Sequence, residues 1–169
     1  ISFWSDYAIK SRWFTIPNAT DKMTWSKDGN WTYPTGTVWV KHFDLEMSRG
    51  NPATKKRIET RVLVKTDTGS YGVSYRWNEA QTDAFLVDAK GMDRVYPVKD
   101  PSAPGGIRKQ TWHYPSRNEC MFCHSRASGF VLGIDTPQMN REGQIEKLIS
   151  GWQPGDGRTV FAVGDPMQS

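Results

Sequence analysis

The stretch Cys120-Met121-Phe122-Cys123-His124 constrains this chain more than any other. Two cysteines three apart, with a histidine directly after the second, form the CxxCH pattern of c-type haem attachment. On a helix, positions i, i+3 and i+4 share one face. Both sulfurs can then meet the haem vinyl groups while His124 reaches the iron, so one face supplies two covalent links and an axial ligand. The flanking residues predict that helix over 117–127. Ser116 followed three positions later by Glu119 has the form of a capping box, in which hydroxyl and carboxylate satisfy orphan backbone donors. Pro115 stands just before it, and Gly129 offers a stop.

Other uses of a CxxC fit less well. A zinc site would need two more ligands, and His42, His113 and the adjacent His124 are the only histidines, with no second paired cluster. A thioredoxin-like motif needs a βαβ setting, whereas the residues before this one read as antiparallel β. A structural disulfide would leave His124 unexplained.

The chain has 169 residues, enough for one module: a β-rich body over 1–113 and a helical haem-binding segment over 114–169. Only 37% of residues are hydrophobic, yet eight Trp, seven Phe and six Tyr make large core material. Each such side chain contributes about 2–3 kcal/mol when buried. There is no repeat, no low-complexity tract and no apolar run of transmembrane length. Residues 1–113 carry 17 basic against 12 acidic side chains, and 114–169 carry 5 against 6. The basic run Lys55, Lys56, Arg57, Arg61, Lys65 is expected to mark a solvated strand face, with docking of an acidic partner as the alternative. No nucleic-acid-binding motif accompanies it. Both cysteines are consumed by haem, and haem is attached outside the bacterial cytoplasm, so a periplasmic or extracellular location is expected. The chain begins at Ile1 without a signal peptide and is expected to be a monomeric excised module or mature fragment of an exported protein.

The expected fold class is α+β: an antiparallel β-sandwich or jelly-roll-like body followed by a short helical haem-c segment. Strands are predicted near Lys10–Ile16 and at Thr37–Leu45, where Trp39, Phe43 and Leu45 share one face and Val38, Val40 and His42 the other. Residues 58–64 and 71–77 alternate around Thr66-Asp67-Thr68-Gly69 as a hairpin. Further strands are expected near Ala84–Val87 and Ile107–Tyr114, with 100–106 as a loop. Beyond the haem helix, Thr136-Pro137 resembles an N-cap with proline at the first helical position; a helix over 144–150 and a strand over 159–163 follow.

A haem iron held by His124 needs its sixth position explained, because methionine there raises the potential, a second histidine lowers it, and an open site admits peroxide or oxygen. Met139 is the first choice, since Gly129 and Gly133 let the chain fold back. Met167 and Met92 come next, then His113 and His42, with Met23 and Met47 also in the field; Met121 lies inside the motif and cannot reach across the ring. Arg117, Arg126 and Arg141 are near enough in sequence to pair with the haem propionates. Tyr114, Phe122, Phe130, Leu132 and Trp152 are candidates to wall the ring.

Several stretches add a resemblance: Glu59-Thr60-Arg61, Tyr75-Arg76-Trp77-Asn78, Thr82-Asp83-Ala84, Trp112-His113-Tyr114-Pro115-Ser116-Arg117, Glu119-Cys120, Phe130-Val131-Leu132-Gly133 and Gln138-Met139-Asn140-Arg141. Through them the chain, over most of 2–150, resembles a family of exported bacterial proteins whose β-rich region runs into a CxxCH site. Within it the chain is similar to cytochrome modules joined to carbohydrate-binding modules in polysaccharide-degrading bacteria. The resemblance implies an electron carrier able to reduce lytic polysaccharide monooxygenases, copper enzymes that need an external electron. Relatives with a second haem have no counterpart here, where one CxxCH is present.

Two other functions are open at this point. A vacant or labile sixth site would make a peroxidase-like or small-molecule-binding haem protein, although no distal acid-base pair can be named. Exposed tryptophans on a β body can stack on sugars, and Trp4, Trp25 and Trp31 are the ones in the least regular stretch. A copper monooxygenase fails on the histidine count.

Overall fold

A computed structural model describes residues 5–136 and 161–164. Met139, Arg141, Met167, Trp4, Trp152 and the helix expected over 144–150 lie outside the described residues. Among the described residues, eight strands run in the order β1 (Ile9–Thr15), β2 (Val38–Glu46), β3 (Lys55–Lys65), β4 (Ser70–Trp77), β5 (Ala84–Leu86), β6 (Met92–Lys99), β7 (Ile107–Tyr114) and β8 (Phe161–Gly164), and the helix α1 (Arg117–Cys123) follows β7. Six strands form a sheet in the order β5-β4-β3-β2-β1-β8, and β6 and β7 form a separate two-stranded ribbon. Every strand pair in both sheets is antiparallel. The α+β expectation, a β body followed by a short helix, holds. No helix among the described residues is long and apolar enough to cross a membrane.

The hairpin β3–β4 forms around the turn expected for it: Thr66 N–H donates to the Gly69 carbonyl, and the Gly69 N–H returns to Thr66 Oγ1 at 3.0 Å. Strand β6 is an addition to the expected set. Pro97 within it argues against a strand by pattern, because proline cannot donate to a ladder. A two-stranded ribbon tolerates it, since each strand has an outward edge; Pro97 stands opposite Lys109.

The ribbon lies on one face of the large sheet. Phe43 and Leu45 from β2 and Ile58 from β3 pack with Val87, Tyr96 and Val98 and with Trp112 and Tyr114. A β-bulge makes this possible. Between Phe43 and Asp44 the β2–β3 register shifts, pairing Phe43 with Glu59 but Asp44 with Arg57. Ile58 is the extra residue, and 58, 59 and 60 are consecutively buried where alternation would bury every other one. The Ile58 carbonyl accepts from Tyr114 Oη at 3.0 Å, and the Tyr96 and Tyr114 hydroxyls are 2.5 Å apart.

Glu59 is fully buried beside these rings. Its carboxylate accepts Nε and Nη2 of Arg61 at 2.6 and 3.0 Å and Nε1 of Trp112 at 2.9 Å, so sheet and ribbon share one anion. Glu59→Gln would keep an acceptor for Trp112 but strip Arg61 of its counter-charge. Removing one member of a buried pair destabilises strongly, and partial exposure of Arg61 reduces the effect, so a loss of about 2 kcal/mol is expected in urea unfolding. A change within a few tenths would remove Glu59 as the link between sheet and ribbon.

Candidate functional site

Helix α1 has the expected start. Ser116 Oγ accepts from the Glu119 N–H at 3.2 Å while Glu119 Oε2 accepts from the Ser116 N–H at 2.7 Å, completing the capping box. The helix ends earlier than expected, at Cys123 and not 127. His124 leaves helical geometry at φ −84, ψ 51, Ser125 is extended, and a 3-10 turn at Arg126–Ser128 follows, closed by Gly129 at φ 63. Gly91 lets the corner before α1 pass: a Cβ there would lie 2.6 Å from the Ser116 nitrogen and from the Tyr114 carbonyl oxygen.

Glycine also docks the helix. A Cβ at Gly72 of β4 would lie 3.0 Å from Cys120 Cβ and 3.1 Å from its sulfur, so α1 lies on the sheet face that Gly72 shares with its partner Leu63. Alternation puts Trp39, Lys41 and Phe43 of β2, Glu59, Arg61 and Leu63 of β3, and Gly72 and Ser74 of β4 on this face. Met121 packs there too, its sulfur 4.0 Å from Ser70 Oγ. Trp31, Tyr33 and Val131 form a second core with Met23, Trp39 and Ile134 against it, and the Tyr33 and Trp39 rings meet edge-on at 4.9 Å.

His124 is held by its ring. Nδ1 lies 2.9 Å from the Phe130 carbonyl oxygen and therefore carries the proton, which leaves the Nε2 lone pair available to a metal. Gly129 and Phe130 both have positive φ, 63 and 65, and this double left-handed turn aims the carbonyl back at the ring. For Phe130 such a backbone is strained; its own N–H on the Ser125 carbonyl, at 2.9 Å, holds the turn. Burial lowers the pKa of His124, the Phe130 carbonyl opposes this, and Lys41 and Arg61 lower it further, so the imidazole is neutral as a ligand must be. Burial raises the Cys120 thiol against the pull of Arg61. This opposes the low-pKa thiolate that redox CxxC motifs use. Among the described residues no group of three or more His, Cys, Asp or Glu side chains could hold a metal ion on its own.

The remaining expected residues separate. Phe122 points outward, 78% exposed; Phe130 is partly buried, with its ring near Gly69 and 5.5 Å from the Lys65 ammonium. Arg117 and Arg126 are exposed, and Leu132 is half-exposed. Tyr114 cannot wall a haem, because it belongs to the ribbon core. Two of the lesser sixth-ligand candidates are strand residues with other partners. His42 lies on the opposite face of the sheet, with Nδ1 2.7 Å from Thr60 Oγ1 and its pKa lowered to about 4, chiefly by burial. His113 has both nitrogens on carboxylates, Nδ1 2.6 Å from Asp93 and Nε2 3.2 Å from Glu119. Met92 is exposed at the ribbon end and Met47 packs against the ribbon core, whereas Met23 lies against the Trp31–Tyr33–Val131 cluster. Trp31 is buried with its Nε1 on Thr136 Oγ1 at 3.0 Å and cannot stack on a sugar; Trp25 is 58% exposed.

The basic run is not one solvated face either. Arg57 bonds Asp44 at 3.1 Å, Lys56 bonds Glu79 at 3.2 Å and Arg61 bonds Glu59, so its charges are divided among different partners. Sequence reasoning missed Lys41, Trp39, Gly72 and the Phe130 carbonyl as parts of the site. Lys41 alone carried a signal, as a cation between the apolar Trp39 and Phe43 of a strand face.

Two outcomes follow from this geometry. Gly129→Ala would keep a left-handed φ and push Cβ to 2.6 Å from Asn30 Cβ; a loss of about 2 kcal/mol is expected, with the His124 ring resonances moved in an NMR spectrum. Unchanged resonances would mean that the turn does not orient the ring. The second concerns His113, whose pKa is raised by Asp93 foremost and by Glu119, against partial burial. The tether it makes between β7 and α1 is complete below the ordinary histidine value and is lost as pH rises through the raised one. The melting temperature of the parent should fall between about pH 6 and pH 8, and His113→Gln should flatten that slope; parallel slopes would remove the tether.

No family model matches the chain, and no match is found among curated proteins or solved structures.

Proposed function

We propose that this chain is a monohaem c-type cytochrome module that carries single electrons, with haem linked through Cys120 and Cys123 and the iron bound by His124 and, on its other side, Met139. The observation that carries this reading is the Nδ1 bond of His124 to the Phe130 carbonyl. It fixes the tautomer in which Nε2 is a free donor atom, as second-sphere acceptors do for metal-bound histidines. The residues present fit the group: Cys120 and Cys123 lie on one short helix, Cys120 remains a thiol, and the imidazole is neutral. When bound, the haem would supply a one-electron iron couple.

The chain's own residues have separable tasks. Gly72 lets α1 approach the sheet, Phe130 orients the histidine, and Trp39 and Leu63 provide apolar surface on the sheet face that carries α1. The partner in this reading is another redox protein, engaged weakly as such encounters are. The copper lytic polysaccharide monooxygenase implied by the resemblance is the specific acceptor proposed, in a periplasmic or extracellular setting of polysaccharide degradation.

The test is expression with a haem-attachment system, followed by absorption spectra of both oxidation states. Haem that stays on the polypeptide after acidic solvent extraction, and is lost in a Cys120→Ala/Cys123→Ala double variant, is expected. A weak near-infrared methionine-to-iron(III) band that disappears in Met139→Ala would identify the sixth ligand. A band surviving in that variant would move the assignment to another methionine, Met167 next. A high-spin parent spectrum would overturn the electron carrier in favour of an open-iron, peroxidase-like protein, and absence of bound haem would overturn both.

A further inference from the structure

We propose that Lys41, Arg61 and the indole N–H of Trp39 form a carboxylate seat on the sheet face beneath α1, and that the acid groups it takes are the propionates of the haem. The inference rests on the haem reading above and names the part of the protein that would hold the other end of that group.

The register brings the charges together. Lys41 pairs with Arg61, so two cations on adjacent strands stand side by side, with Ser74 next on β4. Like charges directly opposite one another destabilise a sheet. Lys41 and Arg61 also crowd one ring, with Nζ 4.8 Å and Cζ 4.6 Å from the Phe43 centroid. Among the described residues Arg61 has Glu59 for a partner, and Lys41 has no carboxylate within ion-pair distance. A guanidinium has five N–H groups. Glu59 takes two of those on Arg61, leaving the remainder for a further acceptor.

Two polar atoms on the same face are also unsatisfied. Trp39 Nε1 and Ser74 Oγ are buried without a hydrogen-bond partner among the described residues. An indole N–H is only ever a donor, and a buried donor left unpaired is expensive. The face thus offers an ammonium, spare guanidinium N–H groups, an indole N–H and a hydroxyl, while Glu59, its carboxylate among the described residues, is taken up by Arg61 and Trp112. Its place follows from the motif. Arg61 pairs with Ser74, one row from the Gly72 over which Cys120 lies. The Lys41 ammonium is itself pushed down to about 7, first by burial and then by Arg12, Arg61 and Lys10, with Glu59 opposing. Arg117 and Arg126, the sequence-near alternatives, are exposed.

The experiment uses the haem-loaded chain and two variants, Trp39→Phe, which removes the N–H and keeps a ring, and Lys41→Gln, which removes the charge. Resonance Raman reads the propionate bending bands and redox titration reads the midpoint potential. Both variants are expected to shift the propionate bands. Lys41→Gln should also favour the oxidised form about tenfold at a fixed poise, a fall of about 59 mV for one electron, because a cation near the iron stabilises the reduced state. If Lys41→Gln does not fold, the Raman bands of Trp39→Phe decide alone. Bands and potential unmoved in both variants, or moved instead by Arg117→Gln or Arg126→Gln, would overturn the seat while leaving the haem reading intact. A parent chain that takes up no covalent haem would overturn the haem reading itself, and the seat with it.

Discussion

A carboxylate sealed from water holds this molecule together. Glu59 sits where the β2–β3 bulge turns consecutive residues inward, and its oxygens bind Arg61 along the strand and Trp112 across the interface. Burying a charge is unfavourable unless it is paired and hydrogen-bonded, so the bulge, the ribbon and Arg61 specify one another. Without the bulge, Glu59 and Ile58 could not both face inward. Without Trp112, one carboxylate oxygen would lose its second donor, and the ribbon would keep only apolar contacts and the Tyr114 bond to Ile58.

That arrangement extends to the CxxCH helix. Arg61, oriented by Glu59, stands one row from Leu63 and Gly72, the row on which Cys120 lies. The β7–α1 corner is set from the other side by Gly91, by the Arg117 N–H on the Ala89 carbonyl and by His113 between Asp93 and Glu119. Five-residue motif and β body are therefore not two independent parts. The ribbon that closes the core also fixes where the helix begins.

What could be read from sequence was local. The capping box at Ser116 and Glu119, the Thr66–Gly69 turn and the alternation of β2 each depend on residues close together in the chain, and each formed as expected. What could not be read depended on pairing. Lys41 and Arg61 are twenty residues apart and become neighbours only through a register that the bulge at Ile58 shifts. Pro97 concealed β6 because its tolerance depends on which edge faces outward. Helix α1 stopped early because Ser125 is extended, a choice tied to the turn that serves His124.

The placement of β8 has a kinetic side. Its register joins Ser11 to Gly164 and Phe14 to Phe161, so nearly the whole chain is looped between the two strands. Closing so long a loop is entropically demanding, and contacts of high sequence separation form slowly. The β2–β3–β4 meander with its ribbon can assemble from local pairings while the outer side of β1 is still open. A chain emerging from its amino end would thus present Cys120, Cys123 and His124 on a largely built platform before β8 pairs with β1.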